Sequence, residues 1–340
     1  MNKIKEQKTK ISILGAGSWG GTLAWLLSNQ GYKISLWTFS KEEWNLLNRT
    51  KTLLRPKKVR LNKNIQITTN LKDAISKTDI VIIAVPTNAF KSLIIRLKHL
   101  NLSKKIILLS ATKGITTNDY LRPSQILKKY LPKNKIAVLS GPNIALDVIS
   151  KAPIISVIAS RDLKVAALLQ KIISSKYFRI YINKDINGIE IGGALKNVIA
   201  IAAGMSDGFG FNMSTKAALI SRGLIEISKI AIKEGANAKT LLGAAGIGDL
   251  IATCCSKDSR NYRVGYELAK GKNLSDILKK LGQVAEGTET VKSMIKMAKK
   301  YKINTPIANA VYKIAIENKR PKIVLEELLS RPQAKYEIEF

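Results

Sequence analysis

The apolar positions of this chain fall into two regimes. Through residue 182 they come as short runs rich in β-branched residues, at 11–14, 33–37, 65–68, 80–85, 106–110, 135–139, 154–158 and 177–182. Runs of that length between turn-forming residues predict strands. Helical segments lie between several of them, as at 88–97, 144–150 and 162–173. Alternation of this kind predicts an α/β domain with a mostly parallel, doubly wound sheet. From residue 186 the strand pattern stops, and long helical runs follow at 188–203, 215–233, 260–270, 288–301 and 306–318. The division falls in the polar stretch 183–188, so residues 1–185 and 186–340 are expected to form a Rossmann-type domain and an all-helical one. No internal repeat or low-complexity segment is visible, and the tail 332–340 is expected to be poorly ordered.

The first strand runs straight into Gly15-Ala16-Gly17-Ser18-Trp19-Gly20, with a helix-compatible stretch behind it. Gly15 allows a tight turn, Gly17 lets backbone approach a pyrophosphate, and Gly20 lets helix and strand pack closely. A pyrophosphate would then meet the free N–H groups of the helix start. Three further strands lead into turn-like segments: Val85-Pro86-Thr87-Asn88, Ser110-Ala111-Thr112-Lys113-Gly114 and Ser140-Gly141-Pro142-Asn143. In open α/β sheets ligands bind at the carboxyl ends of the strands, so these three segments are expected to face one crevice.

Composition narrows the class. With 340 residues, 46% hydrophobic and 24% charged, the chain has the make-up of a folded two-domain protein. Its net charge of +33 invites a polyanion-binding reading. The lysines are nevertheless spread along the chain, many beside Ile and Asn, as coding drift toward A and T would produce. A solvated basic surface that helps capture small phosphorylated substrates is the favoured reading, with no nucleic-acid partner. Cys254 and Cys255 are adjacent, which suits reduced thiols rather than a disulfide framework or a metal site. The N-terminus has no apolar leader core, and no uninterrupted apolar run reaches the roughly 18 residues of a spanning helix. A cytoplasmic protein without stable membrane insertion is expected.

The only histidine, His99, ends a helical segment in a basic context and reads as a surface residue. The chain must therefore find its acid or base elsewhere. Lys196 stands in a helix that is apolar nearly all round, where an ammonium needs a partner. Gly192 and Gly193, one turn earlier, would leave space beside it for a ligand. Asp249, after two glycines in Gly246-Ile247-Gly248-Asp249, either caps the following helix or orients Lys196. Ser259-Arg260-Asn261 opens another helix, where free N–H groups and a guanidinium together suit a phosphate.

Taken together, these segments resemble bacterial NAD(P)-dependent glycerol-3-phosphate dehydrogenase. The resemblance runs through 15–20, Ser110-Ala111-Thr112-Lys113-Gly114, 140–143, Gly192-Gly193-Ala194-Leu195-Lys196-Asn197-Val198, 246–249, 259–261 and Gly282-Gln283-Val284-Ala285-Glu286-Gly287. It implies reversible reduction of dihydroxyacetone phosphate to sn-glycerol 3-phosphate, feeding phospholipid synthesis. Lys196 matches the family's proton donor. Lys113, Gly141, Asn143, Lys196, Asp249, Ser259, Arg260 and Asn261 match positions around the substrate. Ser18, Trp19, Lys113, Ala145, Arg260, Val284 and Glu286 match cofactor contacts, and a homodimer is expected from the enzyme class.

One departure concerns the second strand end, Trp37-Thr38-Phe39-Ser40-Lys41, where family members often carry Arg or His. Phe39 and Ser40 should border the adenosine ribose. No acidic residue stands there for a 2′-hydroxyl and no arginine for a 2′-phosphate; Lys41 is a less specific substitute. The reading leans to NADPH, with NADH also usable. The competing readings are a β-hydroxyacid dehydrogenase or ketopantoate-type reductase, and a basic Rossmann-fold nucleic-acid-binding regulator.

Overall fold

The computed structural model describes residues 9–282, 284–332 and 336. The chain order is β1 (Lys10–Leu14), α1 (Ser18–Asn29), β2 (Lys33–Trp37), α2 (Lys41–Thr50), β3 (Thr52–Leu53), β4 (Val59–Arg60), β5 (Ile65–Thr68), α3 (Leu71–Ile75) and β6 (Ile80–Ile83). It continues with α4 (Thr87–His99), β7 (Ile107–Ser110), α5 (Pro123–Tyr130), β8 (Lys135–Ser140), α6 (Ala145–Ile149), β9 (Ile154–Ala159), α7 (Leu163–Ile173) and β10 (Phe178–Asn183). The helices that follow are α8 (Ile186–Gly208), α9 (Met213–Lys233), α10 (Ala238–Leu241), α11 (Asp249–Cys255), α12 (Arg260–Ala269), α13 (Leu274–Leu281), α14 (Glu286–Tyr301), α15 (Pro306–Ala315) and α16 (Pro321–Leu329). The expected poor order of the tail falls mostly outside the described residues, as does Gln283 of the 282–287 motif.

The chain divides into two compact units, Met1–Thr112 with Pro123–Ile186, and Lys113–Arg122 with Asn187–Phe340. In the first unit all eight expected strands form one sheet, ordered β10-β9-β8-β7-β6-β1-β2-β5. β1 pairs in parallel with β2 and β6, and β6, β7 and β8 continue in the same sense. β9 turns antiparallel to β8 and carries β10 with it. The apolar runs of the central strands are buried, as in Ile13, Leu36, Ile82 and Leu109, because helices cover the sheet, whereas the outer strands β5 and β10 alternate buried and exposed positions. Side chains cap several of those helices: Ser40 accepts from Glu43 N, Asn70 from Lys72 N and Asp162 from Lys164 N. The two-residue strands β3 and β4 pair with each other and are too short to leave a periodic signal.

The second unit departs from the expected boundary in one respect. Lys113–Arg122, placed by sequence with the strands, belongs to the helical unit. Ile115 is buried in the helical core, Ser293 of α14 donates to Thr116 O at 3.1 Å, and the Lys296 ammonium lies 4.9 Å over the Tyr120 ring. Segment 113–122 has no strand or helix period that could have assigned it. The 23-residue α8 runs through this unit. It is long and apolar enough to cross a membrane, but its most apolar 18-residue window is entirely buried in the fold, so it reads as a core helix. α12 crosses α8 at backbone contact distance, since a Cβ on Gly265 would lie 1.8 Å from Ile201 O. That crossing fixes the start of α12 relative to the helix that carries Lys196.

Candidate functional site

In the first unit the segment after β1 is shaped by its backbone. Gly15 has φ +111°, and its N–H donates to Trp37 O at 2.9 Å, tying the loop to the end of β2. A Cβ on Gly20 would lie 1.9 Å from Gly15 O, so any side chain there would open the turn. Over Gly17 there is open space, and Gly17 caps α1 without a side-chain hydrogen bond. The helix start thus presents backbone N–H groups toward an empty approach, a fit for a pyrophosphate. Ser18 and Trp19 open α1, and the Trp19 ring meets Phe178 edge-on at 6.4 Å. On the parallel strand β8, the following turn places Gly141 at φ +141° against Ser156, with Asn143 N donating to Gly141 O. Ala145 begins α6.

The second strand end corrects one sequence expectation. Carboxylates do stand there, because α2 folds them back. The Ser40 hydroxyl accepts from Glu43 N and donates to Glu42 Oε2 at 2.6 Å, while the Thr38 hydroxyl donates to Glu43. The Ser40 hydrogen bond holds the Glu42 carboxyl below its ordinary range. Phe39 is 80% exposed. Glu42 and Glu43 lie five and six residues past Trp37, the last residue of the strand.

In the helical unit two lysines meet on Asp249. A π-helical turn at Ala244–Gly248 leads into α11, and Asp249 is the first residue of that helix. Its side chain does not cap the helix. Oδ1 accepts from Lys196 Nζ, and Oδ2 accepts from Lys113 Nζ at 2.8 Å. Lys196 also donates to Thr253 Oγ1 at 2.5 Å, and that hydroxyl donates onward to Asp249 O at 2.6 Å. Lys196 and Asp249 are 6% and 1% exposed. An ammonium this deep is costly to desolvate unless a carboxylate and hydrogen bonds compensate it, and here both are present. Burial pushes the Lys113 ammonium down to about 7; Asp249 opposes that shift, and Lys196 adds to it. Lys196 has a third N–H not used by Asp249 or Thr253, available to an oxygen placed beside it.

Thr253 was missed by sequence reasoning. It lies four residues after Asp249, hence on the same helix face, which is the signal that could have found it. The space expected beside Gly192 belongs to the protein itself. A Cβ there would lie 3.0 Å from Ala245 O, so Gly192 admits the segment that delivers Asp249 rather than a ligand.

Ser259 caps α12, its hydroxyl accepting from Tyr262 N at 3.3 Å, and Arg260 is exposed in the first turn. Asn261 is buried, and its Oδ1 accepts from Gly287 N at 2.9 Å, which ties the start of α12 to the start of α14. A Cβ on Gly287 would lie 2.7 Å from Asn197 O, next to Lys196 in sequence. Glu286 opens α14, and Val284 just before it is 40% exposed. Lys113, Lys196, Asp249, Ser259, Arg260, Asn261, Val284 and Glu286 therefore belong to the helical unit. Gly15, Gly17, Ser18, Trp19, Gly20, Phe39, Ser40, Gly141, Asn143 and Ala145 belong to the other. His99 ends α4 and is exposed, as expected.

Comparison with known proteins also divides the chain in two, with 113–122 on the N-terminal side. Residues 10–166 match the family model for the N-terminus of NAD-dependent glycerol-3-phosphate dehydrogenase, and residues 185–326 match the model for its C-terminus. The chain is 42% identical over 322 residues to glycerol-3-phosphate dehydrogenase [NAD(P)+] of Thermoanaerobacter sp. (strain X514), covering 95% of this chain and 97% of that protein. It is 40% identical over 333 residues to the enzyme of that name from Lacticaseibacillus paracasei, with 95% of each covered. Among solved structures it is similar to glycerol-3-phosphate dehydrogenase from Coxiella burnetii, with a TM-score of 0.92, 32% identity and coverage of 96% of this chain and 100% of that one. With both halves matched in order, this chain belongs to the NAD-dependent glycerol-3-phosphate dehydrogenase family.

Proposed function

We propose that the protein catalyses reversible NAD(P)H-dependent reduction of dihydroxyacetone phosphate to sn-glycerol 3-phosphate, with Lys196 as proton donor. The observation that carries this is the buried Lys196 ammonium held by Asp249 and Thr253 with one N–H to spare. Family membership supports the reaction, and the glycine loop at 15–20 supports a dinucleotide.

The bound dinucleotide supplies the hydride. The protein's own residues supply the rest. Backbone N–H groups at the start of α1 hold the pyrophosphate. Arg260 and the N–H groups at the start of α12 bind the substrate phosphate, a non-reacting group whose binding energy orients the carbonyl. Lys196 polarises the carbonyl oxygen and protonates it as negative charge develops. Asp249 keeps the Lys196 side chain in place, and Lys113 binds the other oxygen of the same carboxylate. Within the helical unit Asn261 lines the substrate surroundings, acting partly through its bond to Gly287. The product would supply the glycerol phosphate backbone of phospholipids.

The test is dinucleotide oxidation with dihydroxyacetone phosphate beside unphosphorylated dihydroxyacetone. Strong preference for the phosphorylated ketone is expected. Equal turnover of the two would reject the substrate assignment.

A further inference from the structure

The end of β2 carries a cation that no nearby sequence position announces. Trp37, the last residue of β2, is 4% exposed, and its indole N–H donates to Thr69 O at 2.9 Å. The Arg96 guanidinium, from α4, lies over the Trp37 ring 5.6 Å from its centroid. The exposed Phe39 ring meets the same indole edge-on at 6.5 Å. Arg96 is itself exposed, and among the described residues no carboxylate pairs with it and no hydrogen bond engages its side chain. At that distance the guanidinium is within cation–π range of the indole and keeps N–H groups for a further acceptor.

Its location gives that arrangement a meaning. In dinucleotide-binding sheets the adenosine ribose lies at the end of the second strand, and an arginine there accommodates a 2′-phosphate. Trp37 is joined directly to the glycine loop through Gly15 N. The two carboxylates at this strand end, Glu42 and Glu43, are drawn onto the hydroxyls of Ser40 and Thr38. They can accept from ribose hydroxyls but not bind a phosphate, and Lys41 offers only a mobile point charge. A planar guanidinium resting within cation–π range of Trp37 suits bidentate contact with phosphate oxygens.

We propose that Arg96 is the side chain that recognises the 2′-phosphate of the cofactor, so that NADPH is selected from α4 rather than from the loop after β2. This rests on the reading of the first unit as a dinucleotide site, and it replaces Lys41 as the phosphate partner. Glu42 and Glu43 keep NADH usable at the same strand end.

The experiment compares wild type, Arg96→Leu and Arg96→Lys. Steady-state kcat/KM is measured for NADPH and for NADH with dihydroxyacetone phosphate. Calorimetric binding of adenosine 2′,5′-bisphosphate and of ADP is measured without substrate. In Arg96→Leu, NADPH efficiency and bisphosphate affinity should both fall about 10- to 100-fold, the scale of a lost charge-assisted contact. NADH efficiency and ADP affinity should stay within about twofold, and Arg96→Lys should lie between. An unchanged NADPH-to-NADH ratio in Arg96→Leu overturns the proposal. An equal loss for both cofactors overturns it too, because that is the result of a side chain that merely packs Trp37. A wild type that turns over but binds neither adenosine ligand overturns the dinucleotide reading instead.

Discussion

The two units handle polar groups in opposite ways. Among the described residues, every charged side chain in the buried set (Arg122, Glu190, Lys196, Lys216, Glu226 and Asp249) belongs to the helical unit. The dinucleotide unit buries hydroxyls such as Ser12, Thr22 and Thr78, and the amide of Asn134, but no charge. One unit builds its site from backbone, where glycines make room and a helix start supplies N–H groups. The other builds its site from ionised side chains brought together over 53 residues for Lys196 and Asp249, and 136 for Lys113 and Asp249. Backbone sites tolerate side-chain change as long as the turn survives. Buried ion clusters do not, since removing one member strands the others.

That contrast is sharpest at Asp249. Asp249→Asn leaves two lysines facing each other and should destabilise the helical unit by about 3–5 kcal/mol. All four tryptophans, Trp19, Trp25, Trp37 and Trp44, lie in the dinucleotide unit, so their fluorescence reports that unit. Denaturant titration followed by far-ultraviolet circular dichroism should show the larger shift, and a loss below about 1 kcal/mol would contradict the contrast.

A smaller effect should follow from pH. Glu226 of α9 accepts from Ile307 N at 2.7 Å and Ala308 N at 3.1 Å at the start of α15, and burial pushes its carboxyl up to about 7. A raised carboxyl favours the folded state at low pH, and that advantage is lost as pH rises through the folded value. Between pH 5 and 7 the loss should be about 2 kcal/mol. Glu226→Gln keeps an acceptor for the Ile307 N–H but turns an amide NH2 toward the Ala308 N–H, so it should lower stability throughout while flattening that part of the pH profile. An unchanged slope would show that Glu226 is ionised throughout.

The smallest effect is expected on the other side of the comparison. Ser18→Ala removes a side chain from the pyrophosphate loop but no backbone N–H, so cofactor affinity should change by no more than about twofold. A larger loss, measured by titrating NADPH fluorescence, would mean that this unit also binds through side chains.

The same division explains what was legible in the sequence. The eight sheet strands and the glycine loop are local patterns and could be read directly. Lys196 and Asp249 could be singled out because a lysine in an apolar helix and an acid after Gly246 and Gly248 are each out of place. Their partner Thr253 could not be, because a threonine inside a helix is unremarkable until its hydroxyl is seen between Lys196 and the Asp249 carbonyl. Segment 113–122 packs with the helical unit through contacts with α14, which no period of its own announces. At the end of β2 both signs of charge were missed for the same reason. Glu42 and Glu43 return through a helix turn, and Arg96 arrives from α4.

The central claim is that the helical unit supplies the proton through Lys196 while the glycine loop holds the dinucleotide independently of it. Lys196→Ala tests this directly, with NADPH binding and dihydroxyacetone phosphate reduction measured on one preparation. NADPH affinity should be retained and turnover should fall at least about a hundredfold, the usual scale for a positioned acid. Near-normal turnover with intact binding would contradict it.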